Sequence, residues 1–210
     1  MDFIFFGMQG SGKGTLGKVV AEKYGMQIFE MGGELRKLAT QDSELAKKVK
    51  SIIESGQLVS DEVVMEIVEN FMNNLPKGTQ VLFDGIPRKV AQAELLNALL
   101  EKHNRTYKAV LLDISKEIAL KRLTTRRVCS SCKNVYPSFY AKDNCEKCGG
   151  ELITRSDDNP EAIETRLNTY EQETVPAIEL YNDRLIKIDG EPSIEKVQEL
   201  AMKALNPIIQ

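Results

Sequence analysis

The 210-residue sequence has no surplus of positive charge, no long apolar run, no tryptophan, one histidine and no cysteine outside one short segment. Each absence narrows the range of functions. Lysine and arginine total 28 against 31 aspartates and glutamates, a formal net charge of −3. A bulk basic field for nucleic acid is therefore missing, although a local basic pocket is compatible with this balance. No apolar stretch approaches the roughly 20 residues that a membrane span needs. The opening residues, MDFIFF, carry neither a basic region nor a small-residue cleavage pattern. No export signal is expected, and a cytoplasmic location is the default. What is present is 42% hydrophobic and 28% charged residues, the balance of a globular chain long enough for one sizeable core.

Residues 2–6, DFIFF, read as a short buried parallel strand ended by Gly7. Residues 13–24 read as a helix, with Leu16, Val19, Val20 and Tyr24 at helical spacing and Gly25 as the stop. Residues 32–74 hold mainly helical patterns, interrupted near SGQLVSDE, where Ser60 is a candidate N-cap. Strands are expected at 80–84, 107–114 and 184–189. Helices are expected at 89–102, from Ser115 to about Arg126, at 160–182 and at 193–205. Strand and helix in alternation argue for an α/β fold with a parallel sheet covered by helices. Between Arg127 and Asn159 the periodicity vanishes and Cys, Gly, Pro and Asn accumulate, which marks an inserted lobe.

Behind the first strand stands GMQGSGKGT, residues 7–15. Gly7, four residues, Gly12 and Lys13 match the G-x-x-x-x-G-K phosphate loop in its strand-to-helix context. Consecutive backbone N–H groups and a helix N-terminus favour an anion, and Lys13 adds a full positive charge. Gly10 and Gly12 remove Cβ atoms that would obstruct close approach. A glycine-rich turn that merely caps a helix is the plainer alternative. Gly14 stands where the common loop has a magnesium-binding hydroxyl, and Thr15 follows one residue late.

Cys129-x-x-Cys132 and Cys145-x-x-Cys148 are separated by twelve residues and include every cysteine of the chain. Paired knuckles of this kind point to zinc, with four thiolates filling a closed, structural tetrahedral site. Two disulfides are the alternative, disfavoured in a reducing compartment, and iron is a possible occupant of the same sulfurs. A lobe of some thirty residues has little core of its own, and a metal compensates for that. Asp84 ends the second strand, where a carboxylate facing the phosphate loop can hold Mg²⁺ through water. An N-cap for the next helix is the alternative role. Gln92 lies one helical turn beyond Arg88, and its amide matches the donor–acceptor edge of adenine. His103, near a helix end, is given no function.

GMQGSGKGT, DGIPRKVAQAE (84–94), RLTTRR (122–127), RSDDN (155–159) and RL (166–167) together resemble the adenylate kinase family, in its long, zinc-carrying bacterial form. The resemblance spans nearly the whole chain, and in that family Gly-Lys-Gly-Thr is the ordinary loop. It implies a P-loop fold with a five-stranded parallel sheet flanked by helices. The core is expected at 1–29, 60–126 and 161–210, an NMP-binding lobe at 30–59 and a zinc lid at 127–160. The implied reaction is reversible transfer of a phosphoryl group from ATP to AMP with Mg²⁺, giving two ADP.

The resemblance also assigns residues. Gly10, Ser11, Gly12, Lys13, Gly14 and Thr15 hold ATP phosphates; Arg122 stacks on the ATP base and Arg126 holds its phosphates. Met31, Arg36, Gly85, Arg88 and Gln92 form the AMP site, with Gln92 reading the base. Arg155 and Arg166 bridge the two nucleotides. Lys13, Arg88, Arg126, Arg155 and Arg166 form the catalytic set. Guanidinium forks suit this task, because phosphoryl transfer depends on positioning and charge stabilisation. Arg105 and Arg184 are expected in surface ion pairs, and Arg127 is left open. A monomer is expected, without nucleic acid or membrane partners.

Four positions depart from the family pattern. Gln9 replaces Pro in the loop, Met31 replaces a Thr of the AMP base site, Gly33 replaces an Asp near the magnesium water shell, and Lys89 replaces Thr. These bear on acceptor selectivity more than on transfer, so a preference for AMP with looser discrimination is expected. Another monophosphate kinase, with a GTP donor or a UMP, CMP or GMP acceptor, is the alternative within the class. A non-catalytic zinc-ribbon nucleotide-binding protein is the alternative outside it.

Overall fold

The computed structural model describes residues 1–137 and 139–209. The chain begins β1 (Asp2–Phe6), α1 (Lys13–Tyr24), β2 (Gln27–Glu30). Three helices follow, α2 (Met31–Leu38), α3 (Glu44–Glu54) and α4 (Asp61–Asn73). Next come β3 (Val81–Asp84), α5 (Val90–Lys102), β4 (Tyr107–Asp113) and α6 (Lys116–Thr124). A small excursion holds β5 (Arg127–Cys129), β6 (Val135–Tyr136) and β7 (Leu152–Ile153). The chain closes with α7 (Pro160–Thr169), α8 (Val175–Glu179), β8 (Leu185–Asp189) and α9 (Ile194–Ile209).

The main sheet has the order β2-β3-β1-β4-β8, and every pairing is parallel. The order in which strands are added therefore reverses at β1: the chain first builds toward β2 and β3, then crosses to β4 and β8. In open α/β sheets a cleft forms at such a switch point, beyond the carboxyl ends of the strands. The loop after β1 and Asp84 at the end of β3 both lie there.

Alternation along the strands divides the core into two layers. Ile4, Phe6, Phe83 and Leu111 pack with residues of α4 to α8, among them Val68, Leu96, Leu123, Leu167 and Ile178. Phe3, Phe5, Leu82, Val110 and Leu112 face the other way, against Leu16 and Val20 of α1 and Val197, Ala201 and Leu205 of α9. Strands covered on both faces lose their hydrophobic alternation, which is why DFIFF reads as a continuous apolar run.

The opposite end of the sheet is clamped. Asp2 is buried, and its Oδ1 accepts hydrogen bonds from Arg105 Nη2 at 2.7 Å and from the Val81 N–H at 2.8 Å. Arg105 Nη2 also donates to the Thr79 carbonyl at 2.6 Å. Arg105 is thus no surface ion pair; it ties together the starts of β1, β3 and β4. Arg184 does remain near the surface, beside Asp183 and over the Tyr107 ring.

Three further expectations change. The edge strand β2 is absent from the sequence reading, because it is four residues long and only Phe29 is fully buried. The single helix expected over 160–182 is broken by a π-turn at Tyr170–Thr174, where the Val175 N–H reaches the Tyr170 carbonyl. Pro176 has no N–H to continue an α-helical ladder, and the wider turn absorbs that loss. Ser60 occupies the N-cap of α4, but its side chain accepts no capping hydrogen bond.

Candidate active site

The phosphate loop wraps the start of α1. Gly12 takes the N-cap position at φ 99°, a conformation that strains any residue with a Cβ. A side chain at Gly7, at φ 146°, would begin 2.5 Å from the Leu112 carbonyl oxygen. Lys13 Nζ donates to the carbonyls of Gly7 at 2.6 Å and Met8 at 3.1 Å. Burial lowers its pKa to about 8; Asp84 opposes that shift, while Arg88 and Arg126 add to it. Asp84 faces the loop, with Oδ2 3.6 Å from the point where a side chain at Gly14 would begin. Burial pushes the Asp84 carboxyl up, against the pull of Lys13. Gly14 therefore leaves room beside a carboxylate rather than lacking a hydroxyl to no purpose.

One cavity of about 890 Å³ runs from this loop to the helices of residues 30–59 and under the excursion that carries the cysteines. Its wall includes Arg36, Arg88, Arg122, Arg126, Arg155 and Arg166, the six arginines singled out by sequence. Arg126 donates to Asp158 through Nε at 2.9 Å and Nη2 at 2.6 Å. Arg166 reaches Asp157 at 3.0 Å and Asp158 at 2.8 Å. Arg155 makes no ion pair among the described residues. Burial, with repulsion from Arg126 and Arg36, lowers its pKa to about 10. Arg88 is likewise lowered by burial; Asp84 resists the shift, and Arg166 and Arg36 add to it. Cations held close enough to depress one another form a site that an anion relieves. Arg127, by contrast, turns into the excursion and donates to Asp143 and the Tyr140 carbonyl. Arg122 donates to the carbonyls of Gly190 and Glu191, each at 2.9 Å, which fixes α6 against the turn before α9.

The side of the cavity formed by α2 and the start of α5 holds the unusual residues. Met31 is buried at the start of α2. Arg36 Nη2 donates to Glu30 Oε1 at 2.9 Å. A side chain at Gly33 would begin 3.4 Å from Glu30 Oε2, so the Glu30 carboxylate lies beside the position that Gly33 leaves without one. Gly85, at φ 82°, accepts from Arg88 Nε at 3.0 Å. Gln92 is buried and hydrogen-bonded at both ends of its amide, to the Arg88 N–H and to Asp61. Gln9 lines the same cavity, and its Oε1 is buried without a partner.

The roles of Asp157, Asp158, Glu30 and Asp61 are missing from the sequence reading. The pair of aspartates stands just beyond Arg155 in RSDD, after Ser156, a usable signal. Glu30 and Asp61 give none, since their partners stand six and 31 positions away.

The excursion folds as a three-stranded antiparallel sheet of order β6-β5-β7. Among the described residues its buried cluster is small: Cys129, Tyr136, Cys145 and Leu152, with Tyr140 packed against them. The four sulfurs lie within 4.8 Å of one another, and Cys129 and Cys148 Sγ are 3.4 Å apart. That separation exceeds a disulfide bond of about 2.05 Å and suits four ligands around one tetrahedral ion.

Comparison with known proteins follows the same line. The family model described as Adenylate kinase matches residues 5–186. The chain is 41% identical to the adenylate kinase of Archaeoglobus fulgidus, over 94% of each chain. It is 38% identical to that of Kosmotoga olearia, over 98% of this chain and 99% of the relative. It is also 38% identical to that of Chlamydia muridarum, over 96% and 86%. The chain belongs to the adenylate kinase family.

Proposed function

We propose how this cleft divides the labour of the adenylate kinase reaction, the reversible transfer of a phosphoryl group from ATP to AMP giving two ADP. Gly10 to Thr15 cradle the donor phosphates with backbone N–H groups, and Lys13 leaves its loop carbonyls to meet them. Arg122 and Arg126 complete the donor site. Met31, Arg36, Gly85, Arg88 and Gln92 take AMP, with Arg36 and Arg88 on its phosphate. An oxygen of that phosphate attacks the γ-phosphorus as the bond to the β–γ bridging oxygen breaks, and ADP leaves. Arg88, Arg155 and Arg166 lie between the two sites, where charge spreads over the moving phosphoryl group. Asp157 and Asp158 hold Arg126 and Arg166 in place, so that little reorganisation is needed at the moment of transfer.

Asp84, a buried carboxylate beside Gly14, fits Mg²⁺ held through water. When bound, the ion offsets charge on the phosphates. Four thiolates at one point fit a structural Zn²⁺. Residues 127–160 then act as a lid hinged near Arg126 and Arg155, excluding water, a competing acceptor. Residues 30–59 form the AMP lobe, and 1–29, 60–126 and 161–210 the core. A cytoplasmic monomer is the state in which we expect it to act; no helix of the described residues is long and apolar enough to cross a membrane.

The observation that carries this reading is the single cavity that joins the phosphate loop to the helices of residues 30–59, with six arginines on its wall. The test is disproportionation of ADP with Mg²⁺. Equal yields of ATP and AMP are expected, and Arg88→Ala should reduce the rate by at least about 10³. Absence of ATP formation would leave only a nucleotide-binding protein.

A further inference from the structure

Gln92 is held in a way that decides which end of its amide points where. Its Oε1 accepts from the Arg88 N–H at 2.8 Å, and its Nε2 donates to Asp61 Oδ1 at 2.8 Å. Both partners act in one direction only. A backbone N–H donates, and a carboxylate accepts. Turning the amide over would set N–H against N–H and oxygen against oxygen, and would lose both bonds. Lys89 Nζ, 3.5 Å from the same Asp61 oxygen, pairs with the carboxylate and holds it at the site. After these bonds, Gln92 keeps one lone pair on Oε1 and one N–H on Nε2, on a residue that lines the cavity.

We propose that Asp61 is a specificity-determining positioning residue: by fixing the orientation of the Gln92 amide, it selects a 6-amino purine over a 6-oxo purine as the acceptor base. The inference rests on the reading that Gln92 meets that base. Adenine presents an amino donor at its 6-position beside a ring acceptor, whereas guanine presents a carbonyl oxygen there. A locked Oε1 accepts from the amino group and is repelled by the carbonyl. An amide free to turn would satisfy either base, so the glutamine alone does not discriminate. Unpaired polar groups in a closed site are what make such discrimination large. The sequence assigns the base to Gln92 but gives no hint of this lock, because Asp61 lies 31 residues away on α4.

The experiment compares kcat/KM for AMP and GMP in wild type, Asp61→Asn, Gln92→Ala and the double variant, with ATP as donor. Asparagine keeps the shape of Asp61 but can offer either a donor or an acceptor, so one of the two constraints is lifted. The AMP:GMP preference should fall about tenfold in Asp61→Asn, mainly through a lower KM for GMP, with kcat for AMP little changed. In the double variant the preference should equal that of Gln92→Ala alone. Asp61→Glu, which restores an acceptor-only group, should keep most of the preference and controls for folding of α4. A preference within twofold of wild type in Asp61→Asn, while Gln92→Ala lowers it, overturns the lock. A preference unchanged in Gln92→Ala overturns instead the assignment of the base to Gln92.

Discussion

Asp158 is the residue whose loss should reveal most about how the arginines are held. Its side chain is fully buried and receives three charge-assisted hydrogen bonds, two from Arg126 and one from Arg166. Asp158→Asn keeps the volume, removes the charge and replaces one acceptor oxygen with a donor that faces a guanidinium. Breaking one partner of a buried ion pair costs about 3–5 kcal/mol, a large part of the roughly 5–15 kcal/mol that stabilises a domain. For a chain of this size that corresponds to a fall in Tm of about 6–20 °C, at about 2–4 °C per kcal/mol. The kinetic effect should be of comparable weight. Arg126 and Arg166 lose their common anchor, and a misplacement of about 1 Å can cost about 10²-fold in rate.

The pH dependence of stability gives an independent check. Burial works against ionisation of Asp158, but hydrogen bonds and charge from Arg126 and Arg166 outweigh it and hold the carboxyl below its usual range. The stabilisation it contributes is therefore complete above about pH 4 and is lost as the pH falls through the lower folded value. Thermal or urea unfolding of wild type and Asp158→Asn between pH 3 and 7 reads this out. Wild type should show the steeper acid loss, and the curves should draw closer together toward the acid end. If the variant unfolds within about 2 °C of wild type at neutral pH and keeps its kcat, the aspartate pair does not hold the arginines.

Lys13, its pKa lowered by burial to about 8, should take up a proton when ATP binds, because phosphate favours its charged form. Calorimetry at pH 9 in two buffers of different ionisation heat should register most of one proton bound with ATP, and Lys13→Met should abolish it. The same shift makes stability rise as the pH climbs from about 8 toward the unfolded value of about 10.4, where the penalty for burying the charge is relieved. Dialysed protein should contain one metal ion per chain. Removing it should open 127–160 to protease while the main sheet stays folded, since that lobe's buried cluster is small among the described residues. Met31→Thr should sharpen the preference for AMP over CMP and UMP by about 2–10-fold, the worth of one hydrogen bond, in a panel of monophosphate acceptors.

Much of this was legible because the informative residues are local. GMQGSGKGT lies within nine positions, and the glycines, the strand before them and the helix after them constrain one another. Each pair of cysteines is three residues apart, and the strands that fill both layers announce themselves as apolar runs. Features that depend on distant partners stayed hidden. Arg105 looked like any surface arginine, because Asp2 meets it from 103 positions away. The π-turn at Tyr170–Thr174 interrupts a pattern that is helical on both sides. Gly33 read as a lost carboxylate, whereas the carboxylate of Glu30, three residues earlier, lies beside it. Asp61 and Gln92 belong to different helices and meet only once α4 and α5 pack together.

The claim that everything else depends on is that donor and acceptor occupy this one cleft together and exchange the phosphoryl group directly. Two adenosines joined through five phosphates span both sites, so such an analogue tests it by calorimetry and competition. One molecule bound per chain, displacing both ATP and AMP, is the expected result. Displacement of one nucleotide while the other stays bound, or two analogue molecules per chain, would contradict a shared cleft.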